Sequence, residues 1–254
     1  PKSPSILIIV LIFFISIMAV LSLVAFTASL SGESTLGNAN EPRFDDISAL
    51  GDPEIASIDS WLQEQVDLAN YPSLTVAIVR DGNIAYGRSF GLENMRRDKK
   101  ATLQTQYHVA SVTKVFTASL AVAMQEHGLV DLDQPVVKYL PDGVSISTTP
   151  EVGATITLRQ LASHTSGIPR SVPGRVQSVE GWYDLEPQRL YDHLTNIQLK
   201  TKPGTEERYS NLGFGLLGHA LERAANKPFH QLIQEMICDP LQLKRTAIQV
   251  DDTL

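Results

Sequence analysis

The sequence predicts an α/β chain of the α+β kind, preceded by an apolar amino-terminal segment. Three observations predict it. Two β-rich runs, SLTVAIVR and IAYGRSFG, flank Asp81-Gly82-Asn83, the signature of a hairpin. Helical periodicity of apolar residues recurs after Asp52, Ser111, Asn211 and Pro228. The composition, 43% hydrophobic and 19% charged over 254 residues, is that of a chain that buries a core. The charge balance is 21 basic against 28 acidic side chains, a net −7. It speaks against nucleic acid as a partner, because gripping phosphates takes a basic surface. The single cysteine, Cys238, excludes an intramolecular disulfide framework and a cysteine-based zinc cluster.

From Ile6 to Phe26 the chain is apolar except for Ser16 and Ser22. At ~1.5 Å per residue a helix of this length matches the ~30 Å hydrocarbon core of a bilayer. Lys2 ahead of the run and Thr27, Ala28 and Ser29 behind it are the flanks of an exported chain. Residues 1–30 are therefore read as a membrane anchor or a signal sequence. The remainder is then extracytoplasmic, membrane-anchored or secreted. Residues 31–52 mix Gly, Ser, Asn, Pro and acids without a period and read as a linker, leaving 53–254 as the folded domain.

Within that domain Asp52 is placed to cap a helix whose first position is Pro53. Ile55, Ile58, Trp61, Leu62 and Val66 share its apolar face. The first hairpin run is apolar on both faces, which predicts a sheet covered on both sides. Residues 92–107, with Arg96-Arg97 and Lys99-Lys100 around Asp98, read as a solvated loop. A helix from Ser111 to His127, closed by Gly128, carries Val112, Val115, Phe116, Leu120, Val122 and Met124 around its axis and is expected to be central. Thr157-Leu158-Arg159-Gln160-Leu161 predicts a short helix, and residues 165–208 read as loop with one helix from Pro187 to Leu199. One hairpin is too few strands for a covered sheet, and the chain begins at Pro1, so a fragment is expected.

The sharpest chemical feature is Ser111-Val112-Thr113-Lys114 at the start of the central helix. Residues three apart share a helical face, so the Lys114 amine reaches the Ser111 hydroxyl. A helix N-terminus favours a developing alkoxide, and it pushes the lysine toward the neutral amine that can act as a base. The same spacing also fits an N-cap serine and a surface lysine. Tyr209-Ser210-Asn211 follows a Lys202-Pro203-Gly204 turn and opens another helix. There a phenol is able to exchange protons with Ser111 or Lys114, and the Asn211 amide to hold a substrate carbonyl. A packed tyrosine beside an asparagine N-cap is the plainer alternative.

With LASHTSGIP at 161–169 and PGTEERYSNLGFGLLG at 203–218, the chain from Asp52 to Leu254 resembles the serine β-lactamase and penicillin-binding protein superfamily, above all its class C-like branch. The resemblance implies a β-lactamase/transpeptidase-like fold, an antiparallel sheet flanked by helices. It implies Ser111 as the acylated nucleophile, Lys114 as the neighbouring base, Tyr209 as proton shuttle and Asn211 as a substrate-binding amide, with the Ser111 N–H as half of an oxyanion hole. His164, in the LASHTSGIP segment, is given no catalytic role. The implied reaction is two-step acyl transfer on an amide, lactam or ester carbonyl of a small-molecule or peptide substrate, without metal or organic cofactor. Family members carry a third motif, Lys-Thr-Gly or His-x-Gly, on a later strand. The sequence has none, and the chain as given is expected to be inactive for want of it.

Two further patterns point elsewhere. Gly87-Arg88-Ser89-Phe90-Gly91 matches a nucleophile elbow, but Ser89 falls inside a predicted strand with no helix after it. The histidines at 108, 127, 164, 193, 219 and 230 lack close ligand spacing, which disfavours a zinc hydrolase. The rival to the hydrolase is a non-catalytic relative that binds peptide, peptidoglycan or a protein partner on the same scaffold.

Overall fold

Two β-rich runs separated by a two-residue Asp-Gly turn should pair in antiparallel register, and they do. In the computed structural model, which describes residues 53–80, 83–147, 149–171 and 187–248, strand β1 (Ser73–Arg80) pairs with β2 (Asn83–Asn94), Val76 opposite Arg88 and Arg80 opposite Asn83. The Asp81-Gly82 turn pair, the Asp52 cap, the 6–26 apolar run and the 31–52 linker lie outside the described residues. A short strand β3 (Lys99–Lys100) adds antiparallel to β2, giving the order β1-β2-β3. It corrects the reading of 92–107 as loop. Two lysines show no apolar alternation to the eye, yet they suit a strand edge, where charge discourages further pairing.

The described residues form two units that divide between Thr105 and Gln106. In the first, helix α1 (Pro53–Ala69) packs on β2. Leu62 and Val66 are buried beneath it, whereas Trp61, predicted on the same face, is 47% exposed. Successive helical residues are about 100° apart, and Leu62 takes the inward direction. Tyr86 of β2 is the other large buried residue of this unit. Its hydroxyl donates to Asp59 Oδ1 of α1 at 2.5 Å, and Arg88 approaches the same carboxylate at 3.4 Å. A sheet covered on both faces is not found among the described residues. Residues 73–79 of β1 are not buried, and Ile78 and Val79 are 39% and 60% exposed. Among the described residues of this unit helix α1 packs on β2, and the apolar pattern of β1 goes unmatched.

The second unit is helical. A 3₁₀ turn (Ala110–Val112) leads into α2 (Thr113–Glu126), followed by α3 (Pro150–Gly153), α4 (Leu158–Ala162), α5 (Pro187–Asn196), α6 (Asn211–Ala225) and α7 (Phe229–Ile233), the last running on into a π turn (Gln234–Cys238). Helix α6 packs against both α2 and α4. Leu120 and Met124 of α2, Leu158 and Leu161 of α4 and Leu216, Leu217 and Leu221 of α6 form the centre of one apolar cluster. The buried residues of α2 are Thr117, Leu120, Ala121 and Met124, a single i, i+3, i+4, i+7 stripe. The helix is therefore one-sided rather than enclosed. Val122, expected inside, is 51% exposed. Helix α5 stops at Asn196, three residues short of the predicted Leu199. Among the described residues, no helix is long and apolar enough to cross a membrane.

Candidate active site

Two helix starts build the site. Ser111 lies in the 3₁₀ turn immediately ahead of α2, preceded by Ala110 in the left-handed region at φ 44°. Lys114 is the second residue of α2. The second start is that of α6, where Ser210 is the N-cap and Asn211 the first helical residue. The Ser210 hydroxyl accepts from Gly213 N–H at 2.8 Å and donates to Pro169 O at 2.7 Å. Because serine takes the cap, the Asn211 side chain is free to turn into the site. The expected alternative, an asparagine N-cap, is thereby corrected. Ser210→Ala would leave the buried Gly213 N–H and the half-buried Pro169 carbonyl without this partner, so a loss of about 1–2 kcal/mol is expected in a denaturant titration. An unchanged midpoint would contradict that expectation.

The four residues singled out in the sequence come together. Ser111 Oγ is 2.6 Å from Tyr209 Oη, and Lys114 Nζ donates to Ser111 Oγ at 3.4 Å and to Asn211 Oδ1 at 2.7 Å. The Lys114 amine also sits 4.8 Å from the centre of the Tyr209 ring and 5.7 Å from that of Phe214. Arg170 approaches the Tyr209 ring, its guanidinium carbon 4.9 Å from the centre. Burial by itself raises the pKa of the Tyr209 phenol. The Lys114 and Ser111 donors and the charges of Lys114 and Arg170 outweigh it and hold the phenol below its ordinary value. A hydroxyl, an amine and an acidified phenol in mutual contact can move a proton off the hydroxyl. Ser111 is exposed, so the hydroxyl is open to a reactant.

Sequence reasoning passed over His164 as a site residue, and it missed Arg170 and Phe214. The His164 ring lies 4.6 Å from the Tyr209 ring and 4.8 Å from Phe214. Arg170 carries the carbonyl that accepts from Asn211 and Leu212 N–H at 2.9 and 3.2 Å. Their contacts join 164 and 170 to residues of the 208–214 stretch, far along the chain, so no local pattern in the sequence marks them. Ser89 is in β2, its hydroxyl 3.0 Å from Thr75 Oγ1 on the facing strand, with no helix after it. Among the described residues no group of three His, Cys, Asp or Glu side chains is placed to hold a metal ion.

The Beta-lactamase family profile matches residues 58–253. The chain belongs to the beta-lactamase family. Similar members include the D-alanyl-D-alanine-carboxypeptidase/endopeptidase AmpH of Escherichia coli (strain K12), 37% identical over 170 residues that cover 67% of this chain and 44% of AmpH. The N-acetylmuramyl-L-alanine amidase of Bacillus subtilis (strain 168) is 28% identical over 241 residues, 90% of this chain and 54% of the amidase. Among solved structures, the beta-lactamase/D-alanine carboxypeptidase from Yersinia pestis complexed with citrate superposes with a TM-score of 0.64 at 28% identity, over 76% of this chain and 57% of that one. The beta-lactamase/transpeptidase-like α/β fold follows from these matches. This beta-lactamase-family chain spans about half the length of the relatives it matches.

Proposed function

We propose that this chain carries the nucleophile and proton-transfer residues of a serine hydrolase that works through an acyl-enzyme. The observation that supports it is the contact of Ser111 Oγ with both Tyr209 Oη and Lys114 Nζ. In this reading Tyr209 acts as the phenolate: Ser111 Oγ attacks an amide, lactam or ester carbonyl and its proton passes to the Tyr209 oxygen, the nearer acceptor at 2.6 against 3.4 Å. Lys114 donates to Asn211 Oδ1, and its hydrogen bond and charge hold the Tyr209 pKa down, which keeps that oxygen ready to take the proton. The proton goes on to the departing amine or alkoxide as the carbonyl–leaving-group bond breaks. Water then attacks the Ser111 ester, returns a proton to the same network and releases the acid. The Ser111 N–H, at the start of a helical segment where donors lack intrahelical partners, faces the developing oxyanion.

We take peptides with D-alanyl-D-alanine or N-acetylmuramyl-L-alanine amide bonds as the first candidate substrates, a choice supported by the names of AmpH, the amidase and the Yersinia carboxypeptidase. An extracytoplasmic setting agrees with the 6–26 apolar run, which we assign to export or anchoring. The second oxyanion donor is assigned to the whole protein. Among the described residues the helical unit has a single isolated bridge, Pro135 with Thr157, and no strand to offer one.

A fluorophosphonate probe tests the reading on the full-length protein. Ser111 Oγ bonds to phosphorus, fluoride leaves and the hydroxyl proton goes to Tyr209. Peptide mapping is expected to find the adduct on Ser111 and to lose it in Ser111→Ala. No adduct on a folded sample would favour the non-catalytic binding relative, and an adduct on Ser89 would favour the elbow.

A further inference from the structure

We propose that His164 is a positioning residue whose neutral imidazole holds Tyr209 against Ser111, so that acylation requires the uncharged ring. The inference rests on the hydrolase reading above and adds to it a residue and a condition.

The backbone at His164 is one that glycine takes most readily. Helix α4 ends in two bonds, His164 N–H to Leu161 O at 3.4 Å and Thr165 N–H to Gln160 O at 2.9 Å. That pattern puts His164 at the position just past the cap, where glycine is preferred, and its φ is 61°. A side chain other than glycine or asparagine costs stability there. The imidazole has work that accounts for that cost. His164 O accepts Arg208 N–H at 2.7 Å, and His164 Nδ1 accepts Ser210 N–H at 3.1 Å. The ring itself lies against the ring of Tyr209 between them. One residue thus grips all three consecutive residues, 208 to 210, around the phenol.

Acceptance of a backbone N–H at Nδ1 fixes the proton on Nε2. Protonation of Nδ1 would set donor against donor and release the segment. It would also bring a second cation beside the Lys114 amine. Among the described residues the charged and titratable groups facing the ring are Lys114 from α2 and Tyr209 and Glu207 from the 201–210 segment, while α6 presents the neutral Phe214. Burial and then the charge of Lys114 push the His164 pKa down, with Glu207 opposing. The neutral ring therefore persists through neutral pH and is lost only in acid. The position of Tyr209, and with it the rate, should follow.

Two variants separate backbone from side chain. H164G installs the residue the helix end prefers and removes the imidazole. H164N tolerates the same φ and keeps an uncharged acceptor near Nδ1. The readout is the rate of fluorophosphonate labelling of Ser111 in the full-length protein between pH 4.5 and 8.5. At pH 7.5 H164G is expected to be about 10–100-fold slower than wild type, as for a displaced catalytic group, with H164N within about threefold. The ratio of wild-type to H164N rate should be flat above neutrality and fall about tenfold per pH unit in acid, one proton being involved. A flat ratio across the range, or H164N as slow as H164G, with wild-type label on Ser111, overturns the role of His164 and leaves the hydrolase reading standing. Wild-type protein without a Ser111 adduct overturns both.

Discussion

Lys114→Met is expected to slow Ser111 labelling by roughly 10²–10⁴, the usual worth of a positioned acid–base group. The Lys114 amine touches everything that matters in the site. It donates to Ser111 Oγ and Asn211 Oδ1 and lies near the faces of Tyr209 and Phe214. Methionine keeps the length and the apolar stem but removes donor and charge. Without them the burial of Tyr209 loses its strongest opponent, so the phenol should titrate at higher pH in an ultraviolet difference spectrum. Rate and titration are thus tied to one substitution. A variant that labels within threefold of wild type would show that Lys114 is a bystander.

The second large effect concerns stability. Gly167→Ala is expected to cost roughly 2–4 kcal/mol, in the range for backbone strain added to a clash. Gly167 has φ 75°, and a Cβ there would lie 2.2 Å from Thr201 O, a backbone atom that cannot swing aside. Its carbonyl also accepts Lys200 N–H at 2.8 Å. The turn therefore joins two stretches that the site depends on, 165–170 and 200–210. A fall in the denaturant midpoint with a matching loss of Ser111 labelling is the expected result. An alanine variant as stable as wild type would mean that the two stretches separate without penalty.

Most of the candidate site was legible in the sequence because the residues that meet there follow local spacings. Ser111 and Lys114 are one helical turn apart, and Tyr209 and Asn211 flank a helix start, patterns that a linear reading can see. His164 escaped because nothing local marks it. Its interest lies in contacts with residues 208 and 210, more than forty positions on, and its left-handed backbone leaves no trace in residue type. In the fold, Thr157-Leu158-Arg159-Gln160-Leu161 announced α4, whose start the structure closes with a reciprocal Thr157–Gln160 cap, and Asp-Gly announced the hairpin. Lys99-Lys100 hid a strand, because tertiary pairing rather than propensity makes it one. Trp61 and Val122 misled for one reason. An apolar residue is buried only where the protein offers a surface to meet it, and neither side chain is fully covered among the described residues.

Cys238 gives the protein a clock of its own. The thiol ends the π turn after α7, is 1% exposed, and is the chain's single cysteine. Burial, and then the charge of Asp239, hold its pKa above the ordinary value, so the native state offers an alkylating reagent almost no thiolate. Modification by iodoacetamide should wait for the helical unit to open, and its rate then counts openings. No label or fluorophore has to be introduced. A Lys114 variant that is slow on Ser111 but native-slow on Cys238 has lost chemistry. A Gly167 variant that alkylates quickly has lost its closure.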